Sequence, residues 1–397
     1  MWKRIHGVAP HLIYYLLVPR VAHSFHPRTL KKADGIVLDK PGKPSYDSPF
    51  SFRVRVLLQT FFKILERRIN SRLSCIARLG GILNEHQCGS LAGLSALDAT
   101  TTLTHEIRTL QMAGNKVTTL FLAIKGGFDN VNPSTLCSIL KVKGVNPYLV
   151  SWTRSFLSGR TCWLLYQESP KILAPVAVGT PQSSPASPLL FVMYVSQLHC
   201  EIPHGLTLSY VNNLGLTASS PSYRPNIQIL QRHYTVLKAK GDRLGVSFSI
   251  SKTALIHWRS NRDRGPISRS PIHLDGSIFP PKDEVRWPGY LFTPSISTTP
   301  HFAKRLAKAQ AAFVAIKSLS PPGMGLPPFL CHLLASSLLF PILSYGADTF
   351  RPTAHMERKL SAFWYKVQRW ITNCFSCTPT DILAIEYCLP LLGLLLE

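Results

Sequence analysis

Apolar positions at helical spacing and short apolar runs bounded by glycine and proline divide most of the chain into brief elements. Over residues 54–79, apolar side chains at 57, 61, 65, 69, 73 and 76 share one helical face, while Lys63, Arg67, Arg68, Arg72 and Arg78 take other positions and Gly80-Gly81 ends the run. A second helix is predicted from Ser95-Ala96-Leu97-Asp98, a capping box leading into Leu103, Ile107 and Leu110. Residues 117–124 read as a buried strand entering a turn at Gly126-Gly127, and Asn132-Pro133 opens a helix with a cap and a first-turn proline. Further helices are expected over 147–157, 187–198 and 225–244, the last closed by Gly245, with strands near 161–166, 173–178, 246–250 and 253–258. Thr207-Leu208-Ser209-Tyr210-Val211 and Leu214-Gly215-Leu216-Thr217-Ala218 are two apolar runs joined by Asn212-Asn213, which predicts a hairpin turned by the asparagine pair. The Ser-, Arg- and Pro-rich stretch 259–281 reads as an exposed connection, and beyond His301 the helices are rich in alanine and leucine and carry Lys304, Arg305, Lys308 and Lys317. The mixture of strands and helices, without an internal repeat, indicates an α/β fold.

Composition sharpens this picture. A chain of 397 residues with 45% hydrophobic content has ample material for packed cores, which excludes a disordered chain. Its 44 Lys and Arg against 20 Asp and Glu give a formal charge of +24, which favours polyanions, whether nucleic acid or acidic lipid headgroups, unless the charge is mere solvated surface. Nine cysteines at irregular spacing point to reduced thiols rather than a disulfide framework. Cys374 and Cys377 form the one Cys-x-x-Cys pair, and with no second pair or nearby histidines it reads as helix-packing sulfur ahead of zinc. The uncharged stretches 172–200 and 318–347 are interrupted by prolines and read as buried core, so no membrane span is expected, and no targeting segment is read at the N-terminus.

The candidate chemistry lies in an ordered set of motifs. Phe121-Leu122-Ala123-Ile124-Lys125-Gly126-Gly127-Phe128-Asp129-Asn130-Val131, then Gly179-Thr180-Pro181-Gln182-Ser183-Ser184-Pro185, then Tyr210-Val211-Asn212-Asn213 follow one another in the order of a polymerase palm. Lys40-Pro41-Gly42-Lys43-Pro44, Ser51-Phe52-Arg53 and Gln87-Cys88-Gly89-Ser90 precede them; Lys252-Thr253-Ala254 and Arg286-Trp287-Pro288-Gly289-Tyr290 come after. The set resembles the reverse transcriptases of non-LTR (LINE-type) retrotransposons, those of filamentous fungi above all, with Phe340-Pro341-Ile342-Leu343-Ser344-Tyr345-Gly346-Ala347 and Val367-Gln368-Arg369-Trp370 matching the thumb.

The resemblance implies a right-hand polymerase with a mixed palm sheet and a helical thumb. It divides the chain into an N-terminal remnant (1–35), fingers (36–118), palm (119–292) and a thumb (293–397) with no ribonuclease H region after it. It implies an RNA-directed DNA polymerase by descent, with RNA template and DNA primer as partners, two Mg2+ ions as cofactors and, by analogy, a nuclear location. Lys252 falls at a palm position, and Lys40, Lys43, Arg53, Phe128, Gln182 and Ser183 at nucleotide- or template-facing ones, Phe128 as the aromatic gate against a ribose 2′-hydroxyl.

The family's metal ligands are missing. Ala123, Asn212 and Asn213 stand where three aspartates belong, and Ser183 replaces a glycine that admits substrate. Magnesium relies on charged oxygen ligands, and losing even one preorganised electrostatic contributor costs about 100- to 1000-fold in rate. An inactive polymerase is therefore expected, with a noncatalytic nucleic-acid-binding protein as the alternative role. Asp129, six residues past Ala123 and beyond two glycines, is not expected to reach the hairpin tip. The two Asp-to-Asn changes and the Gly-to-Ser change are each one purine transition, as decay of a mobile element would leave them; Ala123 is not.

Overall fold

The computed structural model describes residues 15, 19 and 23–386, apart from 43–44, 61–62, 168, 200, 204, 261–262, 264, 319–324, 350–351 and 376. Along the chain come β1 (Lys32–Asp39), β2 (Phe52–Leu57), α1 (Lys63–Leu79), β3 (Gln87–Cys88) and α2 (Ala96–Met112). β4 (Lys116–Lys125), α3 (Pro133–Val142) and α4 (Pro147–Leu157) lead to β5 (Arg160–Leu165) and β6 (Ile172–Val176). Then follow α5 (Ser187–Val195), β7 (Gly205–Tyr210), β8 (Asn213–Ser220), α6 (Tyr223–Arg243), β9 (Ser247–Phe248) and β10 (Ala254–Trp258). Two small hairpins, β11 (Ile272–Leu274) with β12 (Ser277–Phe279) and β13 (Val285–Trp287) with β14 (Tyr290–Phe292), precede the last helices. These are α7 (Thr299–Ser318), α8 (Pro328–Leu334), α9 (Phe340–Ser344), α10 (Ala354–Thr372) and α11 (Thr380–Glu386). The chain forms two compact units, one of Met1–Ala96, Val117–Leu255 and Arg269–Pro281, the other of Leu97–Lys116, Ile256–Ser268 and Lys282–Glu397.

In the first unit a four-stranded sheet runs β2-β1-β5-β6, and a second, mixed sheet runs β4-β8-β7-β3 with β9 paired to β4. β4 is buried along nearly its whole length, as a central strand covered on both faces must be. Asn132 caps α3 by accepting from the backbone N–H of Ser134 and Thr135, and Asn146 caps α4 in the same way through Tyr148, each with proline entering the first turn. α1 buries Leu65, Ile69, Leu73 and Ala77, a stripe at every fourth residue, against a core that includes Trp152, Phe191 and Leu216. In the second unit, Phe302, Ala309 and Ile316 of α7 pack with Leu360, Phe363, Trp364 and Val367 of α10. α10 starts at the Thr353 cap and ends at Asn373, whose φ of 54° lies in the left-handed region.

Several expectations need correction. Residues 52–57 form strand β2 rather than the start of a helix, because Phe52-Arg53-Val54-Arg55-Val56-Leu57 alternates and pairs antiparallel with β1; the helix begins at Lys63 among the described residues. The stretch 259–281 contains the hairpin β11–β12, with Ile272 and Leu274 buried and positive φ at both Asp275 and Gly276, the signature of a type I′ turn. Cys374 and Cys377 follow α10 in a loop and do not pack within a helix. Strand β1 begins at Lys32, inside the segment read as an N-terminal remnant, and buried His26 meets Trp152 and Phe156 edge-on. Among the described residues no helix is long and apolar enough to cross a membrane.

Candidate functional site: the palm hairpin and its surroundings

The hairpin is present, with its turn one residue earlier than the sequence suggests. β7 and β8 are antiparallel and Tyr210 faces Asn213, so Val211 and Asn212 make the turn. The left-handed conformation falls on Val211 (φ 55°) and not on either asparagine. A β-branched residue there is strained by about 1–3 kcal/mol. Tertiary contacts override the asparagine preference. The Val211 N–H donates to the Cys88 carbonyl (3.3 Å), and the Asn212 carbonyl accepts from the Ile124 N–H (2.8 Å). Gly89, itself at φ 93°, lets Tyr210 and Val211 come close: a Cβ there would lie 2.9 Å from Val211 Cγ2.

The same bonds bring position 123 to the hairpin. Ala123 is buried on β4, its carbonyl accepts from the Ser249 N–H (2.8 Å), and the next residue, Ile124, donates to Asn212. Asn213 Nδ2 donates to Asn212 Oδ1 at 3.2 Å, so the two amides at the tip engage each other. The three positions thus offer a methyl group and two neutral amides, a set that does not fit a pair of magnesium ions, which need charged oxygen donors. Among the described residues no group of three or more His, Cys, Asp or Glu could hold a metal. Asp129 is turned to another partner, its carboxylate accepting from Gln182 Nε2 at 3.0 Å.

The loop 179–184 is laid against the turn 126–131. Gly179 and Thr180 donate their N–H groups to the carbonyls of Val131 (2.8 Å) and Phe128 (2.7 Å). The buried Arg160 guanidinium ties the loop down through the carbonyls of Leu157 (3.0 Å), Val178 (3.0 Å) and Gly179 (2.5 Å). Burial pulls its pKa down to about 10, which leaves it charged at neutral pH. Phe128 packs on Phe191 with ring centroids 4.8 Å apart, and Gly127 makes this possible, since a Cβ there would sit 2.7 Å from the Phe191 ring. Ser183 Oγ accepts from the Leu58 N–H (3.3 Å) just beyond β2. Lys40 and Arg53 lie at the same end of the β1–β2 pair, where Lys40 N–H donates to the Ser51 carbonyl (2.9 Å) and Arg53 faces Leu38. Lys252 stands exposed on a one-turn helix whose preceding Ser249 is bonded to Ala123. Lys43 lies outside the described residues.

Two buried features carry no local sequence signal. Glu66 is 2% exposed on α1; its carboxyl engages the Ser184 hydroxyl, while Oε2 has no partner. Desolvation pushes its pKa up to about 7 against the opposing pull of Ser184 and Lys63. Ser209 on β7 donates to Gln87 Oε1, so its Oγ accepts the hydrogen bond from His199 Nε2–H (2.8 Å), which assigns His199 as the neutral Nε2–H tautomer. Burial first, then His86, Lys240 and Lys143, lower the His199 pKa to about 4.

Residues 38–292 match the family model "Reverse transcriptase (RNA-dependent DNA polymerase)". The chain belongs to the reverse transcriptase family. It is 32% identical over 344 residues to a probable RNA-directed DNA polymerase from transposon X-element of Drosophila melanogaster, covering 85% of this chain and 37% of that protein. A second Drosophila melanogaster relative, the probable RNA-directed DNA polymerase from transposon BS, is 28% identical over 287 residues, with 70% of this chain and 31% of the relative covered. The reverse transcriptase chain thus spans about a third of the length of these relatives. Among solved structures, telomerase from Candida albicans in complex with a fragment of telomeric RNA matches at a TM-score of 0.50 and 13% identity, covering 94% of this chain and 61% of that one. The fold is the mixed α/β right-hand polymerase.

Proposed function

We propose that this reverse transcriptase domain derives from a non-LTR retrotransposon and no longer polymerises, holding nucleic acid without copying it. The observation that carries the reading is the hairpin tip: Ala123, Asn212 and Asn213 are held together by the Ile124-to-Asn212 bond and present no carboxylate. Substrate positioning has changed as well, because Ser183 directs its hydroxyl to the Leu58 backbone where the family keeps glycine. The formal charge of +24 supports retained affinity for an RNA template and a DNA primer, with the salt dependence that counterion release imposes. Mg2+ belongs to the ancestral activity, and no step of chemistry is assigned to it in this chain. The thumb motifs support a filamentous fungal source, and the nuclear location follows by analogy with elements that copy RNA onto chromosomal DNA.

Primer extension with magnesium or manganese tests the reading. The chain is compared with a revertant carrying Ala123→Asp, Ser183→Gly, Asn212→Asp and Asn213→Asp, and both are assayed for salt-dependent binding to an RNA–DNA duplex. Binding by both proteins with extension by the revertant alone is the expected result. Robust extension by the unmodified chain would overturn it.

A further inference from the structure

The second compact unit contains a cavity of about 290 Å³ that shares no residue with the palm motifs. Three separate segments build it: α2 contributes Arg108 and Gln111, the residues after β10 contribute Arg259 and Ser260, and the turn after β14 contributes Ser295 and Ile296. These side chains offer two guanidinium groups, two hydroxyls and a primary amide, with no carboxylate among the lining residues. Arg108 is exposed, and its charge acts on the Tyr290 hydroxyl. Gln111 Nε2 is a buried donor without a partner. The Arg259 guanidinium spends Nε and Nη2 on the Asp263 carbonyl (3.3 and 3.1 Å), and its remaining N–H groups are uncommitted to that bond. One carboxylate does border the site: Asp263 Oδ2 accepts from the Ser260 N–H (3.1 Å) while its other oxygen pairs with Lys116, and the Lys116 contact first, then the Ser260 N–H and the Lys116 and Arg259 charges, hold its pKa below the usual range.

The turn beneath the cavity is strained. Ile296 has φ 54°, a conformation that a β-branched residue rarely adopts, and it is fixed by its N–H to the Thr293 carbonyl (2.9 Å) and by Ser297 N–H to Thr293 Oγ1 (3.0 Å). Arg259 is anchored to the same turn by its backbone N–H, which donates to the Pro294 carbonyl at 2.7 Å. The donors are therefore on a braced frame rather than a loose surface, and strain of this kind collects at ligand sites.

We propose that this cavity binds a tetrahedral phosphate oxyanion, with Arg108 and Arg259 as charged donors and Gln111, Ser260 and Ser295 as neutral ones. The volume accommodates one phosphate group with its water, and planar guanidinium groups suit phosphate oxygens in paired bonds. The ligand is either a backbone phosphate of nucleic acid or a free phosphate; the recognising chemistry is the same. The site is independent of the loss of polymerase chemistry, since it shares no residue with the hairpin or its loop.

Isothermal titration of the full chain with inorganic phosphate, at fixed chloride, reads the site directly. Saturable binding is expected, weakened about 10- to 100-fold in Arg108→Gln, as loss of one charge-assisted bond dictates. Lys359→Gln, an exposed cation on α10, controls for bulk charge and should keep the wild-type affinity. Displacement of phosphate by a short RNA–DNA duplex upholds the site with a nucleic-acid backbone as its source; simultaneous binding upholds it with a free phosphate. No saturable binding, or equal weakening by both substitutions, overturns it.

Discussion

Glu66 makes a sharp test of the electrostatics of the first unit. It is 2% exposed, its folded pKa is raised to about 7, and its ordinary value is 4.5. A carboxyl whose folded pKa is raised penalises the folded state once it ionises. The cost is absent below about pH 4.5, grows as pH rises to about 7 and is then constant. Ionising the folded carboxyl at about 7 in place of 4.5 costs about 3 kcal/mol, of which about 2.5 kcal/mol develops between pH 5 and pH 8. Glu66→Gln keeps the shape and the Ser184 contact and removes the charge. The difference in stability between variant and parent should therefore move by about 2–3 kcal/mol in the variant's favour from pH 5 to pH 8. Urea unfolding, with hydrogen exchange on peptides from α1 to keep the readout on the first unit, measures this. A pH-independent difference would refute the account.

The parent alone would not reveal the effect, because His199 opposes it. Its folded pKa is about 4 against an ordinary 6.5, so it contributes stability that is present above about pH 6.5 and lost as pH falls toward 4. Over pH 5 to 8 that amounts to about 2 kcal/mol, nearly the size of the Glu66 effect and of opposite slope.

Further outcomes follow from the same structure. His199→Gln should flatten the acid side, so that urea midpoints of the variant vary less than the parent's between pH 6.5 and 4; an unchanged acid slope would show that His199 does not titrate with folding. Val211→Gly should be more stable than Val211→Ala by about 1 kcal/mol, since both lose the isopropyl group and only alanine keeps the strain of φ 55°; equal thermal midpoints would mean the turn is unstrained. Without divalent ions the quadruple revertant should be less stable than the unmodified chain, by about 1 kcal/mol or more for like charges crowded at the tip. Equal stability in chelator would argue that the asparagines relieve nothing.

Much of this fold is legible in the sequence because the signals are local. Asn132-Pro133 and Asn146-Pro147 cap and open their helices as written, and 147–157 is helical to the residue. Where two periods compete the reading fails: Leu57, Leu65, Ile69 and Leu73 satisfy a helix, yet Phe52 to Leu57 also alternates, and the β1 partner decides for strand. Asp275-Gly276 was an available turn signal within a stretch whose polar composition pointed to a loop. The turn at Val211 could not be read locally, since the groups that fix it are Cys88, Gly89 and Ile124. The same holds for Ser209 and Gln87, 122 residues apart, and for Arg160, whose acceptors were unremarkable carbonyls.

The shape of the hairpin does not depend on carboxylates at its tip. Everything that fixes the tip is backbone or scaffold: the Ile124-to-Asn212 and Val211-to-Cys88 bonds, the glycine at 89, and the Gln87–Ser209–His199 chain behind β7. None of these bonds uses the side chains at 123, 212 or 213. An active site must hold like charges close together for its metals, and that arrangement costs stability while it waits for them. In this chain amides that bond to each other at 3.2 Å and a buried methyl group on β4 carry no such cost and leave the frame intact. The left-handed Val211 is imposed by its backbone bond to Cys88 and by the close approach of Gly89, not by the side chains at 123, 212 or 213, so the backbone of the hairpin does not depend on which side chains stand at those three positions.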